Sequence, residues 1–183
     1  MASHTTHVVP YRRKREGKTN YKKRLALLKS GLPRMVIRKT NQQIIVQIVQ
    51  YLPDGDKVIA AANSMLLKKH GWKYSCKNTP AAYLVGYALG AKAKGKVNDV
   101  ILDLGLQVPI KGSKLYAVAK GAGEHFTVRV DNTIVPPDER INGKHISAHF
   151  IKNKDPFTGY AKLKADPSEI EKEVSRIKSA LAR

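Results

Sequence analysis

Eleven of the chain's twenty net positive charges lie in its first 40 residues, where twelve Lys and Arg face a single acidic residue. Within that stretch, YRRKREGKTNYKKRL has almost no apolar face before Leu25, Leu27 and Leu28, so its first part has nothing to bury. Such a segment cannot join a core, and residues 1–24 are expected to form an arm that orders on a partner. Elsewhere the excess is milder: residues 41–131 carry twelve basic against six acidic side chains, and residues 132–183 carry ten against seven. A pI near 10.1 calls for a polyanion, because self-repulsion at this net charge costs stability unless counter-charges are present. Lys and Arg neutralise phosphates and release counterions, while Tyr11 and Tyr21 suit stacking on unpaired bases, which RNA loops offer and duplex DNA does not. On charge alone, duplex DNA stays open as a partner. A membrane surface is the lesser option, since an anionic bilayer is usually met by a basic amphipathic helix.

From Pro33 the pattern changes to strands. PRMVIRKT, QQIIVQIVQY and DKVIAAANS are rich in β-branched or small apolar residues, and LPDG between the second and third has type I turn chemistry. These segments predict a three-stranded antiparallel meander. A period of two puts Arg34, Val36 and Arg38 on one face of the first strand and Met35 and Ile37 on the other. Thr79 as cap and Pro80 in the first position predict a helix running to Gly95, with Ala81, Leu84, Val85 and Ala88 as its buried stripe. VNDVILDLG then reads as a strand, so the order strand, helix, strand implies a crossover and a parallel partner in the sheet. A short helix follows, capped by Ser113 and stopped by Gly121. Residues 123–140 show no period, and a helix over 141–150 is weakly marked.

DPSEIEKEVSRIKSALA is the clearest helix, with Asp166 and Glu169 as a cap and Ile170, Val174, Ile177 and Leu181 as a narrow apolar seam that suits either its own domain or a different protein. The fold class is therefore α/β: an antiparallel meander joined by a crossover helix to a further strand, helices packed on the sheet, a basic N-terminal arm and a C-terminal helix. The organisation is an arm over 1–24, an α/β domain over 25–150, and an extension with a helix over 151–183.

Patterns that invite an enzymatic reading fail on mechanism. GAKAKGKV, residues 90–97, lacks the final Ser or Thr of a P-loop, and it ends a helix instead of opening one. His145 and His149 have helical i, i+4 spacing but no Glu in the zincin position and no third ligand nearby. Asp99, Asp103, Asp131 and Asp138 could converge for two-metal nuclease chemistry, yet aspartates flanking strands more often cap or face solvent. The single cysteine, Cys76, forms no internal disulfide and supplies no cysteine-based zinc site. No run nears the roughly 18 apolar residues that span a bilayer, and MASHTTHVVPYRRKRE lacks a signal peptide's apolar core, so a soluble, intracellular chain is expected.

Five blocks are longer than any of these motifs: YRRKREGKTNYKKRL, KSGLPRMVIRKTNQQIIVQIV, NTPAAYLVGYALGAKA, ILDLGLQVPIKGSKLYAVAKGA and PPDERINGKHI. Together they resemble the archaeal and eukaryotic branch of the ribosomal protein L-eighteen family over most of residues 10–148. The resemblance implies a non-enzymatic α/β protein, without cofactor or metal, in the cytoplasmic ribosome. It implies binding to 5S rRNA, attachment of that RNA to 23S rRNA in the central protuberance of the large subunit, and protein neighbours that include the L-five family. Eukaryotic members are longer, which favours an archaeal source. The blocks that the resemblance turns toward RNA contain Tyr11, Arg12, Arg13, Lys14, Arg15, Lys18, Tyr21, Lys22, Lys23 and Arg24 in the arm. They also contain Arg34 and Arg38 on a strand and Lys111 and Lys114 in a loop, with Ser64 and Trp72 approaching from the end of the meander.

Overall fold

The computed structural model describes residues 8–154, 157, 160 and 165–182. The meander forms as expected from β1 (Arg34–Lys39), β2 (Ile44–Gln50) and β3 (Lys57–Asn63), paired antiparallel in sequence order. The Gly55 N–H donates to the Leu52 carbonyl at 3.0 Å, which closes the turn at Pro53. Strand β4 (Asp99–Asp103) lies parallel to β1, the crossover partner that the strand, helix, strand order requires. A fifth strand, β5 (Thr127–Arg129), extends the sheet beside β4 to give the order β3-β2-β1-β4-β5. Its three residues are too few to show alternation, so sequence periodicity misses it.

Four short or middle-sized helices, α1 (Arg12–Arg15), α2 (Tyr21–Leu28), α3 (Leu66–Lys69) and α4 (Thr79–Ala93), precede β4, and α5 (Lys114–Ala122) follows it. Helix α4 is buried on nearly all sides, with only Ala91 and Lys92 outside its buried set, so the single stripe expected for it is too narrow. The sheet covers one side through β2 and β3, while α5 and the C-terminal helix cover the others. Its cap also differs from expectation. Asn78 is the extended residue whose side chain accepts the Ala81 N–H at 2.8 Å, and Thr79 is already helical. At the far end the helix closes at Ala93, and Lys94 is its cap, one residue short of Gly95.

Gly121 lies inside α5 and does not stop it; Gly123 caps that helix. A Cβ on Gly121 would sit 2.1 Å from the Tyr83 carbonyl oxygen, and one on Gly86 would sit 2.1 Å from the Val118 carbonyl oxygen. These glycines let the α4 and α5 backbones touch. The weakly marked helix over 141–150 is two helices, α6 (Asp138–Asn142) and α7 (Lys144–Lys152), broken at Gly143 with φ +89°. In the C-terminal segment, Asp166 accepts the Ser168 N–H at 2.9 Å and begins a 3-10 turn, after which α8 (Ile170–Leu181) runs to the end of the described chain. Its seam packs on its own domain, with Ile170 and Ile177 fully buried and Val174 nearly so against the α4 core. Each such isoleucine contributes roughly 1.5–3 kcal/mol by leaving water.

Candidate nucleic-acid interface

The helices cover one face of the sheet, and the other face of β1 lines a cleft of about 1330 Å³ beneath the arm. The floor is built from Arg34, Val36 and Arg38 of β1 with Gln47 and Val49 of β2, as the period of two dictates. The roof is the arm, which contributes Arg13, Lys18, Tyr21, Lys23 and Arg24. The loop after β4 closes one side, and there Gln107 donates to the Ile37 carbonyl at 3.0 Å.

The arm is helical in α1 and in the first half of α2, which continues past residue 24 to Leu28, and neither helix buries a residue. Asn20 caps α2 by accepting the Lys23 N–H at 3.1 Å. Arg12 and Lys18 both meet Glu16, the arm's one carboxylate, at 3.3 and 2.9 Å, and Arg13 donates to Thr19 at 2.9 Å. Lys14, Arg15, Lys22 and Lys23 are exposed, and no ion pair holds them among the described residues. Tyr11 is 73% exposed, and its ring lies 5.1 Å from that of Tyr21 at 40°. The two rings are therefore neighbours at the mouth of the arm.

The floor holds an alternating chain of charges. Arg24 Nη2 donates to both Asp56 oxygens at 3.0 and 2.9 Å, and Arg34 donates to Asp56 at 2.7 Å and to Asp103 at 2.9 Å. Arg38 then meets Asp103 Oδ1 at 3.3 Å, and its Nη1 donates to the Ile37 and Asp103 carbonyls at 2.8 and 2.9 Å. Burial pushes the Asp56 carboxyl up, but hydrogen bonds from Arg24 and Arg34 outweigh it and leave it below the usual carboxylate range.

Arg34 is only 3% exposed and its guanidinium is held by two carboxylates, so the structure places it inside the ion-pair chain of the floor. Arg38 keeps 43% of its side chain exposed and remains available. Arg38→Ala should weaken RNA binding by about 1–3 kcal/mol at fixed salt while lowering stability by only about 1 kcal/mol, measured by titration and thermal melting. Equal affinity for variant and parent would remove Arg38 from the interface.

The structure does not bring Lys111 and Lys114 into the cleft. Lys114 opens α5, where burial lowers its ammonium pKa and the charges of Lys39 and Lys77 add to the shift. Lys39 also lines the cleft, so it links the two cationic regions. Ser64 and Trp72 are both buried: Ser64 Oγ accepts the Ile44 N–H at 2.9 Å, and Trp72 Nε1 donates to the Ser75 carbonyl.

The carboxylates considered for two-metal chemistry do not converge. Asp99 pairs with Arg129, Asp103 with the two arginines, and Asp138 with Lys120, while Asp131 accepts the Thr133 N–H. Among the described residues no group of three His, Cys, Asp or Glu is placed to hold a metal ion. Nor is any described helix long and apolar enough to cross a membrane.

Sequence comparison agrees with this architecture of basic arm and covered sheet. A family model described as "Ribosomal large subunit proteins 60S L5, and 50S L18" matches residues 6–99, which take in the arm, the meander and α4. The "Large ribosomal subunit protein uL18" of Thermofilum pendens is 40% identical over 191 aligned residues, covering 99% of this chain and 97% of its own. The protein of the same name from Korarchaeum cryptofilum is 45% identical over 178 residues, covering 93% and 91%. With identity at this level over nearly its whole length, the chain belongs to this family of large-subunit ribosomal proteins, whose role is structural and not enzymatic.

Proposed function

We propose that the chain binds 5S rRNA and fixes it to 23S rRNA in the central protuberance of the large subunit of the cytoplasmic ribosome, beside a protein of the L-five family. The observation that carries this reading is the cleft between the arm and the open sheet face, which gathers cations on two sides of one groove. Residues 1–24 act as the RNA-binding arm of an α/β domain. Its unpaired lysines and arginines, the exposed Tyr11 ring and the half-buried Tyr21 ring beside it suit an RNA whose loops present both phosphates and unstacked bases. Lys111 and Lys114 lie outside the cleft and serve a second stretch of RNA backbone, as expected of a protein joining two RNAs.

The test is a titration of purified protein against 5S rRNA and a duplex DNA of equal length. Preference for 5S rRNA at equal salt is expected. Affinity should also fall steeply with salt: if six to ten phosphates are neutralised, the log-log slope is about −4 to −9. A slope shallower than about −2, or a preference for the duplex, would reject this reading.

A further inference from the structure

We infer that Asp56, an acidic residue in a strongly basic site, positions the arm over the cleft and thereby raises affinity for RNA; this rests on the reading of the cleft as the RNA interface. The two ends of the arginine–aspartate chain face the cleft as Arg24 and Arg38, and its middle is the buried Arg34. Asp56 is the link between arm and sheet, since one Oδ2 accepts from Arg24 at 2.9 Å and from Arg34 at 2.7 Å. Helix α2 buries no residue and so has little packing to fix its position. What holds Arg24 is a carboxylate that is itself held by a buried guanidinium.

A cation fixed in place before binding loses less rotamer freedom when it meets a phosphate, so anchoring Arg24 stabilises the complex although the anchor is an anion. Coulomb's law alone predicts the opposite, because removing a negative charge from the cleft should strengthen attraction to RNA. The two effects therefore have opposite signs and can be separated. The neighbouring Asp54 supplies the control. It is exposed, lies in the same turn, and makes no ion pair among the described residues.

The experiment compares Asp56→Asn with Asp54→Asn in the full chain. Both raise net charge by one, and only the first breaks the link. In the RNA-free protein, Asp56→Asn should speed trypsin cleavage at Lys22, Lys23 and Arg24 several-fold, with Asp54→Asn matching the parent. Titrated with 5S rRNA at fixed salt, Asp56→Asn should bind about five- to tenfold more weakly, the loss expected when an arginine must be ordered on binding. Asp54→Asn should bind as tightly as the parent or slightly more so. Unchanged arm cleavage in Asp56→Asn overturns the inference whatever the RNA result, as does affinity equal to that of Asp54→Asn. Faster cleavage together with failure of the parent to bind 5S rRNA would keep the link and reject the RNA reading instead. Should Asp56→Asn fold poorly, Arg24→Gln breaks the same link from the exposed side and must give faster cleavage at the two sites it leaves, Lys22 and Lys23, or the inference falls.

Discussion

Removal of residues 1–24 should lower affinity for 5S rRNA by about a hundredfold or more at fixed salt, because many phosphate contacts leave together. The deletion takes eight Lys and Arg and one Glu. Among the described residues it takes none of the hydrophobic core, and the arm's helices bury none. The truncated protein should therefore keep cooperative thermal unfolding, with stability changed by no more than about 1 kcal/mol. Asp56 loses Arg24 but keeps Arg34 at 2.7 Å, so no buried carboxylate is left without a partner. Thermal melting and 5S rRNA titration of the same preparation read the two results. If the truncated chain binds as tightly as the parent, the arm is no principal RNA contact. If it fails to fold, residues 1–24 support the domain through contacts that its exposed surface does not suggest.

The opposite profile belongs to Gly121→Ala. The added Cβ would lie 2.1 Å from the Tyr83 carbonyl oxygen and 2.8 Å from the Tyr87 nitrogen, both backbone atoms of α4. Neither can rotate away, so the helices must separate, and α4 is the element that sheet, α5 and α8 all pack against. The expected loss is about 3 kcal/mol or more, at the upper end for overpacking. In a domain of this size that corresponds to a melting temperature lower by roughly 6–12 °C. Gly86→Ala should do the same from the other side, since its Cβ would meet the Val118 carbonyl at 2.1 Å. A melting temperature within about 2 °C of the parent for both variants would mean the interface yields and is not close-packed.

What could be read in advance follows from periodicity. Strand β1 alternates, with Met35 and Ile37 fully buried against the helices and Val36 and Arg38 toward the cleft, so its two faces were legible from residue order alone. A parallel partner for β4 follows from the strand, helix, strand order, and the structure identifies that partner as β1. Periodicity sets Arg34 on the face of β1 opposite Met35 and Ile37, and the family resemblance turns it toward RNA. Its fate depends on Asp103, which stands in register opposite Val36 and between the two arginines, and on Asp56 at the start of β3. Register to an acid could have been inferred once β4 was placed beside β1, whereas the reach of Asp56 across the meander left no mark in local sequence. Helix α4 misled in another way: a helix covered on nearly every side has no stripe to find. Gly86 on α4 and Gly121 on α5 mark the close backbone approach, and Gly90 makes room for the His125 ring; none of the three shows in capping or stripe patterns.

The packing of α8 against α4 also sets a schedule. Translation delivers the basic arm before the domain that follows it, so the arm stands for a time without a folded domain behind it. Strand β1 must wait for β4, whose Asp103 lies 65 residues beyond Arg38, and the core stays unsealed until Ile170, Val174 and Ile177 arrive near the end. Long-range pairings of this kind form slowly, because the intervening loop must close before any contact rewards it. The growing polypeptide is thus a polycation before it is a packed domain, and the segment with the greatest appetite for stray anions is exposed while the domain that carries it is still being made.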